Sequence, residues 1–460
     1  MLNRAPLLLL AALLTLPVPA AAQGMARAAY PPVLDMRARA ATENRILKER
    51  LDTVMPAIMR ERGVDMWVLV ARENFEDPVV KTMLDAESLA ARRRTILIFH
   101  DRGRERGVER LTVSRYGLGG LFEPVWDPAR QPDQWARLAE IVRERAPRRI
   151  AINSSRLSAY ADGMTLSAWE ELTAALGPEL SSNLVRDEVL PIRWLETRTP
   201  SEMALYPTIV RLAHAIIGEA LSSAVITPGK TTTDDVVWWM RQKVSDLGLQ
   251  TWFQPSVGIS RRGSAEMLEG DSVIQKGDLL WTDFGITYLR LSTDTQENAY
   301  VLDDGETKAP AGLRAGLSAS NRVQDALTGS FKLGATGNAV LAEARAKAIA
   351  GGLRPTIYSH PIGYHGHGAG PSIGFWDNQA ADPRGAALVH ADTAWSIELS
   401  ATARVSEWSG QEVGFRTEED AYFDGNQVRY LDGRQTEFYL IGPRSPSRGP
   451  ASPEPTRPPR

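Results

Sequence analysis

At 460 residues the chain has room for two or three domains and for a full core that needs no disulfide or structural metal to staple it. Hydrophobic residues at 43% and charged residues at 24% are globular values, which exclude wholesale disorder and a polytopic membrane protein. Lys+Arg at 53 against Asp+Glu at 56 leaves a formal charge of −3 and no electrostatic case for nucleic acid, while the absence of cysteine excludes disulfide frameworks, thiol nucleophiles and cysteine-held metals. Any chemistry must use oxygen and nitrogen groups.

The chain opens on a leader pattern: Arg4, an apolar run from Leu7 to Leu16, and Ala20-Ala21-Ala22 as an A-x-A site. This predicts a secretory signal peptide over residues 1–22, cleaved after Ala22, and a periplasmic or secreted protein; the apolar run is too short to span a bilayer, so no stable membrane anchor is expected after cleavage. Residues 23–195 read as an α/β domain. Ile46, Leu51, Met55 and Ile58 mark an amphipathic helix, and Met66–Val70, Thr95–Phe99 and Arg149–Ile152 read as strands. No catalytic cluster stands out in this half, and Arg92-Arg93-Arg94 reads as a solvated face.

A new unit begins near Thr199-Pro200-Ser201-Glu202, a capping box with proline at the first helical position. Leu205, Ile209, Leu212 and Ile216 continue a helix that Pro207 should kink early. A second helix is predicted from Asp234 to about Leu247, and from Trp252 to Ile441 the pattern reads as β-rich. Residues 443–460, rich in Pro, Ser and Arg, read as a disordered tail.

Chemistry concentrates in residues 196–442. Asp283 interrupts the apolar strand Leu279–Phe284, where a buried carboxylate is costly unless paired or bound to metal. Asp294 follows eleven residues later, a separation that a β-hairpin closes, although ordinary turn or cap aspartates would read the same. Three of the six histidines, His360, His365 and His367, fall within eight residues among glycines that allow close backbone approach. Further on, period-2 alternation sets Glu398 opposite Trp395 and Ile397, and puts Arg416, Glu418 and Asp420 on one face.

Taken in order, Asp283, Asp294, His360-x-x-Gly363, Ile397-Glu398 and Arg416-x-Glu418 resemble the dinuclear metallopeptidases of the methionine aminopeptidase, Xaa-Pro aminopeptidase and prolidase family. The resemblance implies an α+β protein: a C-terminal pita-bread catalytic domain over 196–442, preceded by an α/β N-terminal domain of the creatinase/prolidase type. It implies that Asp283 chelates one metal, Asp294 and Glu418 bridge, and His360 with Glu398 holds the second. Four carboxylates and an imidazole suit Mn²⁺, with Co²⁺, Zn²⁺ or Fe²⁺ also compatible. Two such cations about 3.5–4 Å apart would lower the pKa of a shared water toward ~7 and supply a nucleophile for a peptide carbonyl. Glu398 would double as proton shuttle, His367 would stabilise the tetrahedral intermediate, and Arg416 would orient carboxylates or peptide termini, whereas His365 reads as supporting. The implied activity is an exported aminopeptidase or dipeptidase acting on N-terminal, plausibly Xaa-Pro, bonds of peptide substrates, by a homodimer.

Two departures accompany the resemblance. Gln254 to Lys276 holds no counterpart of the family's histidine upstream of the first aspartate, and Gly368-Ala369-Gly370-Pro371 replaces an acidic residue followed by proline, which implies reshaped substrate handling. The contrasting expectation is a pita-bread domain without peptidase activity, a peptide-binding module or a metal-free C–N hydrolase. A serine hydrolase reading of Gly370-Pro371-Ser372-Ile373-Gly374 with His390 lacks the required strand before and helix after.

Overall fold

A computed structural model describes residues 30–442; the leader at 1–22 and the tail at 443–460 both lie outside the described residues. The helix Met36–Arg62 starts at Asp35, whose carboxylate accepts the Ala38 N–H at 2.8 Å, and ends at Gly63 in the left-handed region with φ 60°. Leu47, Leu51, Met55 and Ile58 form its buried face. Beside it lies a six-stranded sheet in the order Glu123–Pro124, Val108–Thr112, Arg94–Asp101, Met66–Arg72, Ile150–Ile152, Leu184–Arg186.

Both faces of that sheet are covered, which explains why its central strands read as unbroken apolar runs. Trp67, Leu69, Leu97 and Phe99 pack with the long helix, while Met66, Val68, Ile96 and Ile98 pack with Leu138, Ile141 and Val142 of the helix Gln134–Arg145. Arg94 of the basic run bonds Glu171 at 2.9 Å, and Arg92 and Arg93 are exposed.

The capping box forms as the sequence dictates: Thr199 caps the helix Pro200–Ala220, and Glu202 reaches back to the Thr199 N–H. Pro207 lies inside this helix, which continues past it to Ala220; the lost N–H costs one bond within a helix whose buried face, from Tyr206 to Ile217, is held by the core. Together with the helix Thr233–Asp246 it covers a sheet ordered Tyr439–Ile441, Thr295–Val301, Leu279–Phe284, Ser256–Ser260. Two further sheets follow, one of Pro355–Ile357, Leu399–Val405 and Gln411–Thr417, the other of His360–Ile362, Thr393–Ser396, Asp420–Phe423 and Val428–Tyr430.

The β-rich stretch 252–441 also holds two helices that its pattern did not announce, Ala311–Thr328 and Gly337–Ala350, packed beside the sheet of Pro355–Ile357, Leu399–Val405 and Gln411–Thr417. The first carries Gly312 and Gly316 in its first half, and glycine is a poor helix former in isolation. The reason is contact: a Cβ on Gly316 would stand 2.0 Å from the Phe415 ring, so the close approach of helix to strand demands glycine.

At the seam between the two halves, Arg50 of the first helix is fully buried and pairs with Glu202 at 3.0 Å, while Arg198 reaches the same carboxylate at 3.5 Å. Replacing Arg50 with alanine should therefore destabilise the protein by about 3–5 kcal/mol, because it strips one partner from a buried charge pair. Denaturant unfolding checks this, and a loss below about 1 kcal/mol would contradict it.

Candidate metal centre

The hairpin between Leu279–Phe284 and Thr295–Val301 is antiparallel, with Gln296 opposite Asp283, and it brings Asp283 and Asp294 together as the spacing allowed. Glu398 and Glu418 arrive differently. Ile397-Glu398 sits at the break where Thr393–Ser396 passes into Leu399–Val405, and Glu418-Glu419 at the break between Gln411–Thr417 and Asp420–Phe423. Each path leaves one sheet and enters another there, so simple alternation fails: neighbours Ile397 and Glu398 are both buried. Arg416, Glu418 and Asp420 do not share one environment. Glu418 joins the acids, Asp420 accepts the Asp294 backbone N–H at 3.2 Å, and Arg416 goes to the indoles described below.

The backbone of Glu418 exchanges two hydrogen bonds with Gln296, at 3.0 and 3.2 Å, and this stitches the hairpin to the strand breaks. Asp283, Asp294 and Glu418 then offer oxygens within 4.8 Å of one another, and so do His360, Glu398 and Glu418. His360 Nε2 lies 3.5 Å from Asp294, 3.7 Å from Glu418 and 3.9 Å from Glu398; its Nδ1 faces the Pro361 carbonyl at 2.9 Å, which leaves Nε2 as the ligating atom.

This donor set fits cations on the structure's own evidence. Asp283 Oδ1, Asp294 Oδ1, Glu418 Oε2 and His360 Nε2 are buried without any hydrogen-bond partner, a costly state for four polar atoms in one place. Burial, then the neighbouring Glu418 charge, pushes Asp283, Asp294 and Glu398 well above the usual carboxylate range. Burial opposes the charging of His360, yet the adjoining Glu418 carboxylate raises it. Divalent cations reverse that balance and allow all the acids to ionise.

His367, exposed at the edge of the cluster, points its ring toward His360 with centroids 4.8 Å apart and offers a nitrogen within 4.8 Å of Asp294 and His360 donors. Partial burial and the His360 charge lower its pKa, so it stands neutral with one N–H to donate. Trp252 sets its other side at 5.2 Å, and Gly366 is required there, since a Cβ would lie 2.1 Å from the Trp252 ring. His365 points away to stack on Tyr160 at 4.4 Å. Arg416 lies over Trp281 at 4.9 Å and Trp376 at 5.6 Å, and among the described residues its guanidinium makes no carboxylate ion pair; its charge nonetheless favours ionised Asp283. The serine alternative lacks its frame: among the described residues no α-helix follows Ser372 and no hydrogen bond joins Ser372 to His390, whose Nδ1 lies 2.9 Å from Glu196.

Sequence reasoning missed four contributors. Gln296 donates to Glu398 at 2.7 Å and Asp283 at 3.3 Å, and Trp376 donates to Glu398 at 3.1 Å. Ser396 donates to Glu418. Tyr160, from the N-terminal half, donates its hydroxyl to the His367 carbonyl. Only Gln296 carried a signal, its place opposite Asp283 in the hairpin register.

Such a buried set of acids and imidazole at the meeting of three sheets defines a metal-dependent exopeptidase with the pita-bread fold. Residues 208–423 match the model of metallopeptidase family M24, so this part of the chain is an M24 metallopeptidase domain. No curated protein matches the chain significantly. Among solved structures, it is similar to an X-Pro aminopeptidase from Thermotoga maritima MSB8, at 17% identity and TM-score 0.58 over 84% of this chain and 100% of that one. A Xaa-Pro dipeptidase from Bacillus anthracis gives 15% identity and 0.55 over 88% and 100%, and a dipeptidase from Mycobacterium ulcerans 18% and 0.56 over 89% and 100%. At these identities the likeness shows the fold, and it extends over both halves of the chain.

The grip of Tyr160 on the histidine loop is testable. Tyr160→Ala removes a ring stack and a hydrogen bond, each worth about 0.5–1.5 kcal/mol, and should lower kcat/KM about 10-fold, with Tyr160→Phe losing less. Peptidase kinetics on both variants check this; wild-type kinetics in Tyr160→Ala would contradict it.

Proposed function

We propose that the chain is an exported dinuclear-metal aminopeptidase or dipeptidase that hydrolyses N-terminal Xaa-Pro bonds, with Mn²⁺ as the working metal and Co²⁺, Zn²⁺ or Fe²⁺ as substitutes. The observation that carries the reading is the convergence of Asp283, Asp294, His360, Glu398 and Glu418 with four bare donor atoms among them. The Xaa-Pro preference draws support from the fold neighbours, an X-Pro aminopeptidase and a Xaa-Pro dipeptidase among them. Export rests on the leader pattern alone, and no helix among the described residues is long and apolar enough to cross a membrane.

In this reading Asp283, Asp294, His360, Glu398 and Glu418 are the residues that would hold the cations. When bound, the cations supply Lewis acidity for the scissile carbonyl and an activated water as nucleophile. The Glu398 carboxylate keeps one oxygen engaged by N–H donors and the other on the His360 side, where it accepts a proton from the attacking water and returns it to the leaving amine. Neutral His367 donates its N–H to the carbonyl oxygen as negative charge develops there. Trp252 and the Tyr160 grip hold that ring, while Arg416, stacked on two indoles, favours ionised Asp283.

The test is hydrolysis of Xaa-Pro peptides by chelator-treated protein with and without added Mn²⁺. Activity should vanish on chelation and return with metal; Glu398→Ala should lose about 10²–10⁴-fold in kcat, the range for a positioned proton carrier, and Asp283→Ala should lose metal as well as rate. Full activity in either variant would remove the mechanism. Chelator-insensitive hydrolysis would remove the metal.

A further inference from the structure

Gln296 stands at the centre of a hydrogen-bond arrangement that the resemblance does not assign. It is 1% exposed and faces Asp283 across the hairpin. The Trp281 indole N–H, a donor with no acceptor capacity, meets the Gln296 amide oxygen at 2.9 Å. That contact fixes which end of the amide is which, and the NH₂ group must face the acids. It meets Glu398 Oε1 at 2.7 Å and Asp283 Oδ2 at 3.3 Å.

Trp376 supplies a second N–H to the same Glu398 Oε1, at 3.1 Å. With Oε1 engaged twice, Oε2 is the oxygen turned toward His360 Nε2, 3.9 Å away. On Asp283 the division is the same: Oδ2 is taken by the amide, and Oδ1 is the bare, buried one. One amide thus decides, on two acids from different strands, which oxygen is committed to the protein and which is left for a cation.

We propose that Gln296, clamped by Trp281 and assisted by Trp376, is the positioning residue that orients Asp283 and Glu398 for cation binding and proton transfer. The inference rests on the metallopeptidase reading above and acts through those two acids. Glutamate at this place would set a third acceptor against two acceptors, and leucine of similar size would offer no donor.

The experiment is calorimetric titration of Mn²⁺ into chelator-stripped full-length protein, for wild type, Gln296→Leu and Trp376→Phe, with kcat and KM measured on one Xaa-Pro peptide. Gln296→Leu should weaken Mn²⁺ binding about 10–100-fold and lower kcat while KM stays within about twofold, as expected for loss of a group that orients ligands. Trp376→Phe keeps the ring and loses one of two donors, so it should weaken binding less. The double variant should fall short of the product of the single losses, because both donors serve one oxygen. Wild-type Mn²⁺ affinity in Gln296→Leu overturns the proposal. Should Gln296→Leu fail to fold, Trp376→Phe decides, since that ring is 40% exposed and wild-type affinity there also overturns it. Wild-type protein that takes up no Mn²⁺ overturns the functional reading itself and this inference with it.

Discussion

Four carboxylates and one imidazole share a buried space beside half-buried Arg416, which stacks on indoles and, among the described residues, makes no ion pair with an acid. Like charges at such range in a poorly solvated place cannot all ionise, so the fold has gathered groups whose charged forms need a partner that the chain does not provide. Hydrogen bonds satisfy part of three of the four acids. The Ser396 hydroxyl takes one oxygen of Glu418, the Gln296 amide and the Trp376 indole take one of Glu398, and Gln296 takes one of Asp283. What remains is a set of bare atoms facing one another, and divalent cations are the chemistry that matches it.

The architecture serves this gathering. Strands bury side chains alternately, so two acids on regular strands would be hard to aim into one interior point without exposing their neighbours. The chain solves this by breaking its strands at Ile397-Glu398 and Glu418-Glu419, where each path changes sheet and consecutive residues are both buried. The N-terminal half takes part as well. Tyr160 holds the His367 carbonyl and stacks on His365, and Arg50 lies over Tyr364 at 4.9 Å, so the histidine loop is gripped from outside the domain that carries the acids.

What the sequence disclosed follows from how far each feature is determined locally. The capping box at Thr199 and the strand at Met66 were legible because residue type and near neighbours decide them, whereas the ligand set came from the order of its residues along the chain and the resemblance this carries. The helix Ala311–Thr328 was not legible, because Gly316 answers to the Phe415 ring, and Ser320 to the Thr417 hydroxyl, on a strand roughly a hundred residues later. Tyr160 gave no signal at all, since its role depends on a loop about two hundred residues downstream. Gln296 lies between these cases; register alone placed it against Asp283, but its service to Glu398 needed the strand break that no local pattern shows.

The central claim is that five side chains enclose a pair of cations, and anomalous diffraction from crystals of the full-length protein grown with Mn²⁺ tests it most directly. The account predicts two peaks per chain, about 3.5–4 Å apart, the first touching Asp283, the second touching His360 and Glu398, and both touching Asp294 and Glu418. A map without peaks between these residues, or with Mn²⁺ bound elsewhere, would contradict it.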